Sequence, residues 1–117
     1  MPIVIVTSDR CALHQPPPGH PERPERYDAM STVAERWRAR GAQVVEPGAA
    51  TREQLARIHD AAYLDELGRT AGQAVMLDPD TFTSPDSWEV ATVAAGAALK
   101  AVDAVLDGTA TRAAVLV

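Results

Sequence analysis

The segment from Ser84 to Asp107 constrains the fold more than any other part of the chain. Its polar positions Glu89, Thr92, Gly96, Lys100, Asp103 and Asp107 recur every three or four residues and therefore share one narrow stripe of a helix. From Trp88 onward every other position is Ala, Val, Leu or Trp. A helix that is apolar around most of its circumference is buried on more than one side, which calls for a large surrounding structure. With 117 residues, 46% of them apolar, the chain holds one core and at most one domain, and can hardly enclose such a helix alone.

Charge narrows the partners. Eleven basic residues against sixteen acidic ones leave a net charge of -5, and the basic residues are scattered among acids, so nucleic acid is not an expected partner. Met1 to Val6 has neither a basic leader nor an apolar run long enough for a signal peptide, and no segment is long and apolar enough to span a membrane. The expectation is a soluble, cytoplasmic protein without a membrane partner. A single cysteine, Cys11, excludes an internal disulfide framework and fits a reducing compartment.

Along the chain, Ile3 to Val6 reads as a buried strand, followed by an irregular stretch from Thr7 to about Arg23 that contains Pro16-Pro17-Pro18-Gly19. Loops of this length in a compact domain are usually functional or disordered. The run Gly19-His20-Pro21-Glu22-Arg23-Pro24-Glu25-Arg26 joins the loop to a helix, because Pro24 suits the first helical position and the glutamates favour a helix N-terminus. From Pro24 to Arg40 the apolar residues Tyr27, Met30, Val33, Ala34 and Trp37 mark an inner face, with Gly41 as the stop.

Gln43 to Val45 is a candidate second strand. Thr51 and Gln54 form a capping box for a short helix carrying Leu55 and Ile58, and Asp60 can cap the next, whose inner face is Tyr63, Leu64 and Leu67. Gly72 to Thr83 reads as irregular, and Ala113 to Val117 as a buried parallel strand. Natural domains seldom stop on a core strand, so the chain is expected to be a fragment of something longer. These elements imply an α/β fold with a mainly parallel sheet and strand order 2-1-3. Ligands then bind beyond the carboxyl ends of the strands, where the order reverses and where the loop holding His14 and His20 emerges.

His14, the Gly19 to Arg26 run, Ile58-His59-Asp60-Ala61-Ala62-Tyr63-Leu64, Leu77-Asp78-Pro79-Asp80-Thr81 and the Ala-rich helix ending Val105-Leu106-Asp107-Gly108 occur in this order in a known family. The chain resembles the histone deacetylase superfamily, most nearly its bacterial class II-like and acetylpolyamine amidohydrolase branches. The resemblance implies an arginase/deacetylase-like fold, a three-layer αβα structure of which residues 1–117 would be the N-terminal, incomplete portion of a single deacetylase domain. It also implies zinc-dependent hydrolysis of acetyl-lysine or acetylpolyamine amides, with an acetylated amine as substrate.

In that family the next motif after a strand like Ala113 to Val117 is Arg-Pro-Pro-Gly-His-His, and the catalytic histidine pair, the Asp/His/Asp zinc ligands and the catalytic tyrosine all lie downstream of the part this chain resembles, so no catalytic residue and no metal ligand is carried over to this chain. Zinc is expected in the complete family domain and not on this chain alone, where three histidines are too few and too dispersed for a zinc site. By resemblance, Asp80 matches the rim aspartate that accepts hydrogen bonds from the substrate backbone, and Arg26 the arginine of the acetate channel beneath the acyl pocket. His14 would line the rim as a substrate-binding residue. Read from the residues alone, Asp80 also fits an Asp-Pro-Asp turn, and Arg26 an ion pair with Glu22. His59 is expected to be a satisfied structural histidine, and Trp37 and Trp88 core residues.

The alternative reading is a non-catalytic α/β module that binds a small ligand or protein partner at the same switch point. In either case the apolar helix and the open edge of the third strand lead to the expectation of self-association.

Overall fold

The computed structural model describes residues 2–117. Five strands and four α-helices follow one another: β1 (Ile3–Thr7), α1 (Glu25–Arg38), β2 (Gln43–Val45), α2 (Arg52–Ala56), α3 (Ala61–Gly68), β3 (Val75–Asp78), β4 (Thr81–Thr83), α4 (Ser87–Leu106) and β5 (Arg112–Leu116). The three-stranded sheet is parallel throughout, in the order β2-β1-β5. This is the expected 2-1-3 arrangement, its third strand being fifth in the chain because a hairpin intervenes.

The short β-branched run of β1 is central because both its faces are covered. Val4 and Val6 form a core cluster with Ala97 and Ala101 of α4 and with Ala110. Ile5, also buried, and Thr7 alternate to the other face, where the Thr7 hydroxyl meets that of Tyr27 on α1 at 3.2 Å. Helices thus lie on both sides of the sheet, giving part of a three-layer αβα structure. Small residues on α4 let the helix approach closely. Backbone passes so near Gly96 that the Ala50 N–H donates to the Thr92 carbonyl at 2.8 Å.

Three stretches depart from the expected pattern. Gly72 to Thr83 contains an antiparallel hairpin, β3 and β4, with Pro79-Asp80 at its tip and a register irregularity between Met76 and Asp78. The loop after β1 contains a 3-10 turn, Asp9–Leu13, started by Ser8, whose hydroxyl accepts the Arg10 N–H. Helix α2 has the capping box of Thr51 and Gln54 but ends at Ala56, leaving Ile58 84% exposed.

Side-chain burial also corrects the expected inner faces. Trp37 is on the surface, with the Arg40 guanidinium 5.5 Å from its ring centroid, since α1 buries only Tyr27 and Ala34. Trp88 is half-buried. On α3 only Leu64 is fully buried, and Tyr63 stands out toward a cleft. Asp60 occupies the N-cap position of α3 but its side chain makes no capping hydrogen bond. His59 is exposed and leans on Tyr63, ring centroids 5.7 Å apart, rather than being a satisfied interior histidine.

Candidate functional site

A cleft of about 410 Å³ opens beyond the carboxyl ends of β1 and β5, lined by Cys11 and His14 after β1 and by Val117 after β5. Its position is where the chain, having placed β2 on one side of β1, returns to place β5 on the other, the switch point at which open parallel sheets bind ligands. Apolar walls come from Leu67 on α3, Leu77 and Phe82 on the hairpin, and Trp88 and Ala91 on α4.

The Gly19 to Arg26 run supplies the polar side. Pro24 holds helical dihedrals at the N-cap of α1, the Arg26 and Tyr27 amides close the first turn on Arg23 and Pro24, and Arg26 is thereby carried into the cleft lining. Among the described residues the ion pairs are Arg10 with Glu89, His14 with Glu22, Arg38 with Glu35 and Arg52 with Asp65, so Glu22 goes to His14 and Arg26 is left without a carboxylate partner. A planar guanidinium in this state is a ready acceptor site for a carboxylate.

His14 lines the same cleft with both ring nitrogens engaged. Nδ1 lies 2.6 Å from the Ser87 hydroxyl and Nε2 3.1 Å from a Glu22 carboxylate oxygen. Ser87 in turn accepts the Ser84 N–H at 2.7 Å, and the Ser84 hydroxyl accepts the Gln15 N–H at 3.0 Å. The loop after β1 is therefore fastened to the start of α4, with the Arg10–Glu89 pair as a second tie.

Asp80 is not in the cleft lining. It sits exposed at the hairpin tip, where its N–H donates to Asp78 Oδ1 at 2.8 Å and its carbonyl meets His20 Nε2 at 2.9 Å. The bond from the Asp80 N–H, followed by that from the Thr81 hydroxyl, holds the Asp78 carboxyl below its ordinary value of 3.8. Within the cleft, burial first and the Glu46 carboxylate second push the Cys11 thiol up, which favours its protonated form.

The structure thus brings Arg26 and His14 into one cleft and sets Asp80 at the adjoining hairpin tip. The residues that sequence reasoning missed are Glu22 and Ser87 as partners of His14, Ser84 as the partner of Gln15 and Ser87, and His20 as the partner of Asp80. Ser84 and Ser87, three apart at a helix start, carried a legible capping signal; the pairing of His20 with a residue 60 positions away did not.

A model of the Histone deacetylase domain matches residues 20–117. The chain belongs to that family. Among curated proteins it is 34% identical over 112 residues to the uncharacterized protein slr0245 of Synechocystis sp. (strain ATCC 27184 / PCC 6803 / Kazusa), covering 90% of this chain and 36% of that one. Among solved structures it is similar to the HD domain of HDA15, with a TM-score of 0.85 and 21% identity over 100% of this chain and 35% of that one. The histone deacetylase fold is thereby established for these residues in incomplete form, and the chain spans little more than a third of either relative's length.

For this deacetylase-family chain, no group of three or more His, Cys, Asp or Glu side chains among the described residues could hold a metal ion. No helix among them is long and apolar enough to cross a membrane.

Proposed function

We propose that this chain forms one wall of an amide-hydrolysing deacetylase site whose substrate is an acetylated amine, acetyl-lysine or an acetylpolyamine. The observation that carries this is Arg26, a guanidinium without an ion-pair partner in a mainly apolar cleft at the sheet's switch point. Cleavage of an acetyl amide releases an amine and acetate, and the exposed Arg26 guanidinium at the cleft suits the anionic product. The apolar walls suit the uncharged methylene stem that leads to the amide.

Asp80, at the mouth, offers two acceptor oxygens to backbone N–H groups of a peptide substrate. His14, held by Ser87 and Glu22, keeps the loop wall in place beside it. These residues bind and orient; the bond-breaking chemistry is proposed to need zinc and histidines supplied by parts of the domain outside residues 1–117.

Two experiments test this. A deacetylase assay on the chain with added zinc is expected to show no hydrolysis above background, and sustained turnover would overturn the division of labour. Titration with an Nε-acetyl-lysine peptide is expected to perturb Thr81 and Asp80 amide resonances, and Asp80→Asn should weaken binding about tenfold or more, the range of one hydrogen bond to a charged group. Equal binding of a backbone N-methylated peptide would contradict the assigned role of Asp80.

A further inference from the structure

We propose that a second cleft, between α2, α3 and α4, is a binding site for a small carboxylate with an apolar body. It measures about 620 Å³ and shares one wall with the first cleft, the Trp88 side chain, which lines both. Its apolar surface comes from Ala50 ahead of α2, Leu55 on α2 and Leu64 on α3, of which Ala50 and Leu64 are buried. On α3 the lining residues Leu64 and Gly68 are four apart, as are Asp65 and Arg69, so one face of the helix brings an apolar strip and two charges to the same wall.

The charges do not balance. Arg52 Nη2 pairs with Asp65 Oδ1 at 2.6 Å and donates to the Ala61 carbonyl at 3.1 Å, which matches that carboxylate and ties α2 to α3. The Arg69 guanidinium enters none of the ion pairs among the described residues. With Arg52 and Arg69 against Asp65, the lining holds one positive charge in excess, and a monoanion balances it. The two in-plane oxygens of a carboxylate match the fork of a guanidinium, giving two parallel charge-assisted hydrogen bonds.

The carboxyl end of a helix ordinarily repels an anion, and Arg69 stands at that end of α3. Here the carbonyls are already occupied. That of Leu67 accepts the Thr70 N–H at 3.0 Å and its hydroxyl at 2.6 Å, that of Gly68 the Ala71 N–H at 3.2 Å, and that of Arg69 the Gln73 side-chain amide at 2.9 Å. The Thr92 hydroxyl, also in the lining, spends its proton on the Glu89 carbonyl.

Trp88 argues for the apolar body. A Cβ on Gly68 would stand 3.8 Å from Cζ2 and 3.9 Å from Cε2 of the indole, so the side of the ring that carries Nε1 faces α3. That N–H has no hydrogen-bond partner among the described residues and is not buried, which makes it a second free donor beside the arginine. An aromatic or branched body therefore packs on the indole and on Leu55 and Leu64 while its carboxylate meets Arg69. The site is separate from the one proposed above around Arg26, and neither reading rests on the other.

The test is nuclear magnetic resonance of the 117-residue chain with phenylacetate as the probe. Saturable shifts are expected at Arg69 Nε–H and Trp88 Nε1–H. 2-Phenylacetamide, which keeps the body and lacks the charge, should bind about tenfold or more weaker, the range of a hydrogen bond to a charged group, and Arg69→Met should lose as much for phenylacetate. Because Trp88 lines both clefts, the same shifts should persist in Arg26→Met. A linear, unsaturated response, equal binding of the acid and the amide, full binding in Arg69→Met, or loss of the shifts in Arg26→Met would each overturn the proposal. The first two outcomes need no variant to fold.

Discussion

Gly96 of α4 lies directly beneath the carbonyl oxygen of Gly48, so close that a Cβ built on Gly96 would stand 1.9 Å from that oxygen. The loop between β2 and α2 is thereby pressed on the helix, and no flexible side chain is available to yield. Gly96→Ala is expected to destabilise the chain by up to about 2 kcal/mol, the cost of overpacking against backbone, about 1–3 kcal/mol, less the helix-propensity gain of about 1 kcal/mol. Gly68 is the control, because a Cβ there meets only the Trp88 ring at 3.8 Å, an ordinary contact. Gly68→Ala should leave the thermal midpoint unchanged or raise it, so comparing the two midpoints checks the packing.

Tyr27 should report its surroundings through its ionisation. Burial first raises its pKa above 10.0; the Thr7 hydrogen bond opposes this, while the bond to Asp9 and that residue's charge add to it. In a Tyr63→Phe background, absorbance at 295 nm should show a single phenolate transition with its midpoint above 10.0. Because the folded value exceeds the unfolded one, the native state holds a proton the unfolded state releases. Stability from this group is complete below the unfolded value and is lost as pH rises through the window above it. A midpoint at or below 10.0 would show that the phenol is solvated.

Self-association is expected from two apolar surfaces among the described residues. Strand β5 pairs only with β1, leaving its other edge open, and α4 exposes Val102 at 55% and Leu106 at 80%. Light scattering of the isolated chain should show species larger than a monomer at high concentration, and Val102→Lys combined with Leu106→Lys should shift the distribution toward the monomer. A monodisperse wild-type monomer at high concentration would contradict this.

Much of the frame was legible in the sequence because it depends on local signals. Pro24 marks the start of α1, Thr51 and Gln54 form the capping box, and the β-branched run of β1 and the small apolar residues of β5 become neighbours in a parallel sheet. The hairpin was not legible: β3 and β4 are four and three residues long, and their tip turns on Asp78-Pro79-Asp80-Thr81, whose turn chemistry reads equally as a loop. Trp37 and Ile58 were misjudged for a different reason. Helical spacing identifies an apolar face, but whether it is covered depends on what packs there, and Trp37 remains 36% and Ile58 84% exposed.

For the site, position was easier to read than partnership. The loop after β1 and the switch point follow from topology, and Arg26 reaches the cleft because it is in the first turn of α1. The links of His14 to Ser87 and of His20 to Asp80 span 73 and 60 residues, and no periodicity or local motif encodes such pairs.

The central claim is that Arg26 is the carboxylate-accepting group of a deacetylase wall. Its most direct test is titration of the chain with sodium acetate at constant ionic strength, following the Arg26 side-chain Nε–H resonance. A saturable shift in the wild type that is abolished in Arg26→Met, with sodium chloride giving no such shift, is the predicted result. An acetate response that is linear and unsaturated, or that persists at the neighbouring cleft amides in Arg26→Met, would contradict it.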